Sequence, residues 1–383
     1  MQVRFSKQLY GHHGWSDHLS VGGGLYHEPV TQGQASGEFM TQPTIDLQDV
    51  LKHLHAGGTL DQPKTIEVFG AMMSGLVDNT QIASLLSLLA TRIPTTDELV
   101  GAAQVMRQHV THIPTSIPPE KMLDTAGTGG APKTFNVSTA AAIIAASAGI
   151  PTAKHGNRSR TGRGSAEVLD RLGINLDASP EVQARCLELT GTCFCFAIRH
   201  HPATRYVVPV RKSLGFPTIF NLLGPLTNPA GARRQLMGIW DASYGQVVSE
   251  GLRALDSVEA LVAHSHDGLD ELSISAPTTL WHVCGGDIEQ FDISPELVGL
   301  ETADRSLVTA NTLDDAVFMV RSVLNGSEQG PPRSMVLLNA AAAMWVGGGV
   351  NSLKDGVGAA VDEIDSGRSM QTLEHLAAVS HGS

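Results

Sequence analysis

Residues 124–139 read DTAGTGGAPKTFNVST, running from a strand-like stretch at Met122 to Asp124 into an apolar, helix-like stretch at Ala140 to Ala148. Gly127, Gly129 and Gly130 lack the Cβ atoms that hold a backbone away from a ligand, so their N–H groups can approach an anion. Asn136, Ser138 and Thr139 add side-chain donors where the helix begins, and a helix N-terminus itself favours negative charge. The competing reading is a plain Gly-rich turn with a Ser/Thr cap. No Gly-Lys-Ser/Thr follows, so this is not a Walker loop, and the glycine spacing is not that of a dinucleotide fingerprint.

Charge separates the two readings. Between Asp124 and Glu167 there is no Asp or Glu, while Lys133, Lys154, Arg158, Arg160 and Arg163 contribute five positive charges in a chain of net charge −12. These cations interleave with glycine and small polar residues, as an anion-binding loop requires, rather than forming a solvated basic face. A polyanionic ligand follows. The overall negative charge argues against a protein that coats nucleic acid or an anionic membrane, since both demand a broad basic surface.

Outward from this segment the pattern divides. Ile45 to Val110 reads as short amphipathic helices, with a start near Pro63 and caps at Asn79 and Thr80 and at Thr96. After the Pro-rich turn at 113–119, short apolar runs (Pro151 to Lys154, Leu236 to Ile239, Ala260 to Ala263) alternate with helical stretches such as Glu167 to Leu172 and Tyr244 to Leu255. Arg333 to Met344 and Leu353 to Ile364 are helical again. The expected fold class is α/β: a small all-helical domain at 41–112, with a further helical segment near 202–228, and a larger α/β domain at 118–383 around a mainly parallel central sheet. A chain of 383 residues, 42% of them hydrophobic, can bury cores for both.

Residues 1–40 carry Gly22, Gly23, Gly24 and several histidines without periodicity, and resemble neither a secretory signal nor a transit peptide. They are expected to be a flexible extension, with Met40 as an alternative start. No uncharged apolar run reaches the roughly 18 residues of a membrane span. The four cysteines, Cys186, Cys193, Cys195 and Cys284, have no zinc-ligand spacing and no disulfide pattern. Cys193 and Cys195 would share one face of a strand as buried thiols, and the set suits a reducing cytoplasm.

Residues 266–273 read HDGLDELS after the apolar run at Ala260 to Ala263. In an irregular loop at a strand end, Asp270 and Glu271 could both face a cleft and hold Mg2+ through oxygen ligands; otherwise they are solvated surface.

Eight motifs in order now resemble anthranilate phosphoribosyltransferase: GTGG (127–130), TFNVST (134–139), KHGNR (154–158), GSAEVL (164–169), HHPA (200–203), PVRKSLG (209–215), FNLLGPLTNPA (220–230) and DGLDE (267–271). The resemblance spans residue 45 to the C-terminus. It implies a homodimer of two-domain subunits with the active site in the inter-domain cleft, and transfer of a phosphoribosyl group from phosphoribosyl pyrophosphate to the anthranilate amine, a step of tryptophan biosynthesis. By the same resemblance Gly127, Gly130, Thr134, Asn136, Ser138, Thr139, Lys154 and Ser165 hold phosphoribosyl pyrophosphate, and Gly129, Arg158 and Arg163 are added as neighbours on its side. Asn157 and Arg211 hold anthranilate, Ser138, Asp270 and Glu271 bind Mg2+, and Lys154, Asn157 and Arg211 are the residues expected to matter most for the reaction. His155 either lines the amine pocket or makes local hydrogen bonds. His200 and His201, ahead of Pro202, read as helix caps, with a catalytic role as the alternative, and 220–229 as helix, tight turn and hinge.

Two loops depart from the family pattern. Ala131 and Pro132 stand where the family carries Asp or Ser in a Gly-rich stretch, and SRTGR (159–163) replaces a pair of serines. The expectation is that Arg160 and Arg163 grip the pyrophosphate in place of hydroxyl contacts; the alternative leaves one arginine in solvent. Three other functions stay open on the sequence: a relative with another acceptor, a pyrimidine nucleoside phosphorylase, and a non-catalytic paralogue that binds nucleic acid.

Overall fold

Among the described residues four helices build the N-terminal lobe, α1 (Gln48–His55), α2 (Gln62–Met73), α3 (Asn79–Leu89) and α4 (Thr96–Gln108). The computed structural model describes residues 45–382 apart from Lys133, Arg160 and Thr161. The expectations placed on residues 1–40, on Lys133 and on Arg160 therefore lie outside the described residues.

Each start has a chemical cause. Asp61 Oδ1 accepts from the Lys64 N–H at 2.8 Å ahead of α2, with Pro63 in the first turn. Asp78 Oδ1 accepts from Thr80 and Gln81 ahead of α3. Thr95 and Glu98 form a reciprocal capping box on α4. The caps expected at Asn79, Thr80 and Thr96 are thus corrected to Asp78 and Thr95, because the capping oxygen belongs to the residue just before the first helical one. Glu98 is fully buried. Burial pushes its carboxyl up, but the Arg92 guanidinium and the Leu60 and Thr95 N–H groups outweigh that and hold it below its ordinary value.

The larger part continues through β1 (Leu123–Asp124), α5 (Val137–Ser147), β2 (Thr152–Gly156), α6 (Ser165–Arg171), α7 (Pro180–Thr190), β3 (Thr192–Phe196) and α8 (Ala197–His200). It goes on with α9 (Val208–Leu214), α10 (Ile219–Leu223), β4 (Arg234–Gly238), α11 (Gly245–Ala254), β5 (Glu259–Ser265), β6 (Thr278–Cys284) and β7 (Asp287–Ile293). Helices α12 (Leu313–Leu324), α13 (Pro331–Val346), α14 (Leu353–Asp365) and α15 (Arg368–Ser380) close the chain.

Among the described residues the strands form one sheet in the order β3-β2-β1-β4-β5-β6-β7. The first five are parallel, and β6 and β7 add an antiparallel hairpin at one edge. The hairpin was not anticipated. Its outer strand, DIEQFDI, is mostly half-buried or exposed and offers no apolar run, although the Gly285-Gly286 turn, with φ of 60° and 92°, was a hairpin signal.

Alternation along the strands feeds two cores. Leu236, Leu261, Ala263 and Leu280 face α5, α13 and their neighbours, and α5 and α13 are apolar on nearly every side because they are buried on nearly every side. Met237, Ile239, Val262 and Trp281 face the other way, into a core shared with α11, α10 and the whole N-terminal lobe. Polar contacts fasten the lobe to this face: Thr96 Oγ1 donates to Glu250 Oε2 at 2.6 Å, and Arg107 Nε donates to the Leu226 carbonyl at 2.8 Å. Leu99 of α4, fully buried, meets α11 at Gly251, where a Cβ would stand 3.0 Å from its Cδ2. Truncating such a residue costs about 2–5 kcal/mol.

No described helix is long and apolar enough to cross a membrane. The four cysteines are free thiols; Cys193 and Cys195 share a face of β3, both buried, with sulfurs 3.9 Å apart.

Candidate active site

Strand β1 leads through α5 to β2 on one side, while β4 lies against its other side and leads on to β5. Where neighbouring parallel strands send their connections in opposite directions, a crevice opens at their C-terminal ends, and ligands bind there. The Gly-rich stretch leaves β1 at that point. The Thr128 N–H donates to the Gly238 carbonyl at the end of β4 at 2.9 Å, and the Trp240 N–H returns to Thr128 Oγ1 at 3.2 Å. Gly129 and Gly130 adopt φ of 64° and 99°, backbone that a side chain would strain.

The loop after β5 closes the same spot. A Cβ on Gly127 would lie 3.3 Å from Asp270 Oδ2, so the Asp270 carboxylate faces the glycine loop. Thr134 Oγ1 donates to Glu271 Oε2 at 2.6 Å. Asn339, a lone amide in the apolar helix α13, grips Leu272 through both its N–H and its carbonyl and so holds this loop. Asn136, immediately before α5, has φ 67° and ψ 45°, unusual for a non-glycine, and its Nδ2 donates to the Arg163 carbonyl at 3.3 Å.

A cavity of about 760 Å³ results. It is lined by Gly127, Gly129, Gly130, Thr134, Asn136 and Ser138 from the first loop and by Lys154, His155, Asn157, Arg158, Arg163 and Ser165 from the segment after β2. Asp270 and Glu271 line it from the loop after β5, and Arg211 from α9. Of the described residues expected in the site, Thr139 alone lies off the wall, buried in α5 with its hydroxyl unpartnered.

Lys154 is 4% exposed, and its Nζ donates to the Thr125 carbonyl, Thr125 Oγ1 and Ser138 Oγ, each at 3.2 Å. Burial pulls the ammonium down to about 8, opposed by Asp124 and Glu271. Burial likewise pushes Asp124 up to about 6, although its Oδ1 accepts the His155 N–H at 3.0 Å. The basic segment is therefore backed by a buried acid, its own flanking residue.

His201 stands at the N-cap position of the 3-10 turn Pro202–Tyr206, but neither histidine caps a helix through its side chain. His200 is locked between the Thr111 carbonyl and Gln183 Oε1. His155 Nδ1 lies 3.0 Å from the Gly224 carbonyl, which can only accept, so this nitrogen carries the proton. Burial lowers both His155 and His201, the latter to about 4, so both rings are neutral near pH 7. His155 Nε2 is then an acceptor, and His201 Nε2, 3.3 Å away, donates to it. His201 Nδ1 is left as a buried acceptor with no partner.

Arg211 lies over the Phe220 ring at 5.1 Å and Arg158 over Phe196 at 5.7 Å. Asn157 Oδ1 accepts the Arg158 N–H at 2.8 Å. Ser165 starts α6 so close to β2 that only glycine fits at 156, where a Cβ would lie 2.2 Å from its Oγ. The Arg163 guanidinium donates to the Ala310 carbonyl, joining the altered loop to the segment before α12. Sequence reasoning missed Thr125, the contact of His201 with His155, and Asn339. The first lies inside the stretch quoted at 124–139, and the last stood out as one polar residue inside MVLLNAAAAMW.

Residues 48–110 match the glycosyl transferase family helical bundle domain, and residues 119–370 match the family's a/b domain. The chain is 42% identical to anthranilate phosphoribosyltransferase of Rubrobacter xylanophilus over 87% of its own length and 97% of the relative's. It is 41% identical to the same enzyme of Chloroflexus aggregans over 88% and 99%. Among solved structures, anthranilate phosphoribosyltransferase from Thermus thermophilus superposes with a TM-score of 0.82 at 36% identity, covering 87% of this chain and 99% of that one. The Saccharomyces cerevisiae enzyme in complex with PRPP and Mg gives 0.80 at 25% identity, covering 88% and 98%. The chain thus belongs to the glycosyl transferase family of helical-bundle and a/b domains, in its anthranilate phosphoribosyltransferase branch.

Proposed function

We propose that this protein transfers the phosphoribosyl group of phosphoribosyl pyrophosphate to the amine of anthranilate and releases pyrophosphate. The observation that carries the reading is a single cavity joining a glycine loop and Lys154, suited to phosphate, with Arg211 and Phe220, suited to an aromatic carboxylate.

In this reading the N–H groups of residues 127–130 and the donors of Thr134, Asn136, Ser138 and Ser165 bind the sugar phosphate and pyrophosphate, and the Lys154 ammonium balances charge on the leaving group. Arg211 pairs with the anthranilate carboxylate through a two-pronged fork, while Phe220 beneath it and Asn157 orient the ring. The bond from the anomeric carbon to the pyrophosphate oxygen breaks as the amine nitrogen bonds to that carbon, and the amine proton leaves to solvent. No side chain needs to act as a covalent nucleophile. His155 and His201, neutral and hydrogen-bonded to each other, position the turn at Gly224 rather than exchange protons with substrate. Closing the helical lobe over the cleft would align amine and carbon and exclude water.

The oxygen-only pair Asp270 and Glu271, facing the glycine loop and Thr134, fits Mg2+. Ser138 fits it less directly, since its hydroxyl accepts from the Lys154 ammonium. Bound there, Mg2+ would neutralise charge on the pyrophosphate. Free thiols throughout fit a reducing cytoplasm, and a homodimer is expected from the family resemblance.

Mixing the protein with anthranilate, phosphoribosyl pyrophosphate and Mg2+ should extinguish anthranilate fluorescence as product forms. Persistent fluorescence while the pyrophosphate substrate is shown to bind would reassign the acceptor.

A further inference from the structure

At the end of the sheet away from the cavity, three ligating side chains meet without any part in the transfer. Glu259 opens β5 and pairs across the ladder with Cys284, the last residue of β6. His282 stands two residues before Cys284 and hence on the same face. The Glu259 oxygen, the His282 nitrogen and the Cys284 sulfur all lie within 4.8 Å of one another, and this is the single such cluster among the described residues. His282 Nε2 is 2.9 Å from Glu259 Oε1.

The surroundings pre-orient two of the three groups. The His282 ring packs on Trp345, with centroids 4.7 Å apart. Arg234 holds the other carboxylate oxygen, Glu259 Oε2, at 3.0 Å, and is itself fixed by the Val346 and Glu120 carbonyls. An outer partner that fixes a ligating carboxylate is a common support of metal sites. Arg234 thereby leaves Oε1 turned toward the histidine, and its guanidinium, fixed by Oε2 and two carbonyls, also lies close enough to act on the Cys284 thiol. Asp287, the next charged group near Cys284, adds negative charge on the same side.

We propose that Glu259, His282 and Cys284 form a binding site for a borderline divalent transition metal, Zn2+ above all. One oxygen, one nitrogen and one sulfur suit Zn2+ and do not suit Mg2+, which takes oxygen. With metal–ligand bonds of about 2.0–2.3 Å, the edges of a tetrahedron are about 3.3–3.8 Å. The cluster reaches that by small side-chain rotations, opening the His282–Glu259 contact and drawing the sulfur inward. Water takes the fourth position. On binding, the Cys284 thiol gives its proton to solvent as the sulfur–metal bond forms, and the proton His282 Nε2 shares with Glu259 moves by way of solvent to Nδ1, which frees the Nε2 lone pair for the metal and ends the histidine–carboxylate hydrogen bond. The ion would clamp the β6–β7 hairpin to β5, roughly 20 Å along the strand from the end that leads to Asp270. Transferase activity should not depend on it. The sequence hid the site because two ligands are adjacent only across an antiparallel register.

The test uses the chelator-treated full chain titrated with Co2+, which reports thiolate ligation through a near-ultraviolet charge-transfer band and tetrahedral geometry through intense visible bands. One equivalent should develop both, and Cys284→Ser should abolish the charge-transfer band while leaving anthranilate turnover unchanged. Absence of that band in the unaltered protein, or its survival in Cys284→Ser, overturns the proposal. A second measurement needs no variant: Cys284 is exposed while the other three cysteines are buried, so iodoacetamide labels it selectively. Zn2+ should slow that labelling by roughly tenfold or more, and Mg2+ should not; equal labelling with and without Zn2+ would likewise overturn the site.

Discussion

A methyl group on Gly238 would sit 1.7 Å from the carbonyl oxygen of Asp270, so the last residue of β4 and the acidic loop after β5 touch backbone to backbone. The same glycine carbonyl receives the Thr128 N–H. One position without a side chain thus sets the distance between the loop assigned to phosphate and the loop assigned to metal.

Gly238→Ala should push the Asp270 loop outward while leaving the two cores in place. A displacement of about 1 Å in a catalytic group costs on the order of a hundredfold in rate. The expected result is a kcat/KM lower by about that factor, a raised Mg2+ requirement and a nearly unchanged circular dichroism spectrum. Wild-type kinetics in this variant would show that the two loops need no such approach.

Arg211 tests the acceptor side. Losing a charge-assisted hydrogen bond to a carboxylate costs about 1.5–3 kcal/mol, so Arg211→Ala should raise the KM for anthranilate between roughly tenfold and a hundredfold and leave the KM for the pyrophosphate substrate within about twofold. Arg211→Lys should recover little, because an ammonium offers neither the planar fork nor the stacking on Phe220. An effect mainly on the pyrophosphate substrate would move Arg211 to the other half of the cavity.

The parallel strands, α5 and the glycine loop were legible because they are local. A buried strand is a short apolar run, and an anion loop is a cluster of glycines with cations and no acids. What escaped depends on partners distant in sequence. Nothing near His201 announces that its ring meets His155, and nothing in HVCGGD announces that Glu259 lies opposite Cys284. The caps at Asp78 and Thr95 were displaced by one or two residues because neighbouring polar residues compete for the same role and only backbone geometry separates them.

Arg163 was expected to grip pyrophosphate; it lines the cavity while donating to the Ala310 carbonyl. Both observations fit an arginine that borders the anion and ties the altered loop to the segment before α12. Arg163→Ala should raise the KM for phosphoribosyl pyrophosphate by roughly tenfold, the worth of one charge-assisted hydrogen bond, with the KM for anthranilate within about twofold. Equal rises for both substrates would instead indicate a general loosening of the cleft.

His201 supplies a pH dependence whose sign can be fixed in advance. Burial lowers its pKa from 6.5 in the unfolded chain to about 4 in the fold. Between those values the unfolded chain binds a proton that the folded one refuses, so stability rises with pH across the window and is lost as pH falls from about 6.5 toward 4. The full loss is on the order of 3 kcal/mol for one such group. Burial also lowers His155 and His200, which act in the same sense as His201, while Asp124, raised to about 6 by burial, works in the opposite sense over much of the same range, so the bare stability curve of the protein mixes all four. The clean measurement is the difference in urea-unfolding free energy between the wild type and His201→Asn at pH 7 and at pH 4.5. The asparagine amide can still donate toward His155 but does not titrate, so the variant should be the less stable protein at pH 7 and should close most of that gap at pH 4.5. A gap that stays constant with pH would mean that His201 binds its proton alike in the folded and unfolded chains, against the burial argued above, and the donor chain from His201 through His155 to the Gly224 carbonyl would have to be redrawn.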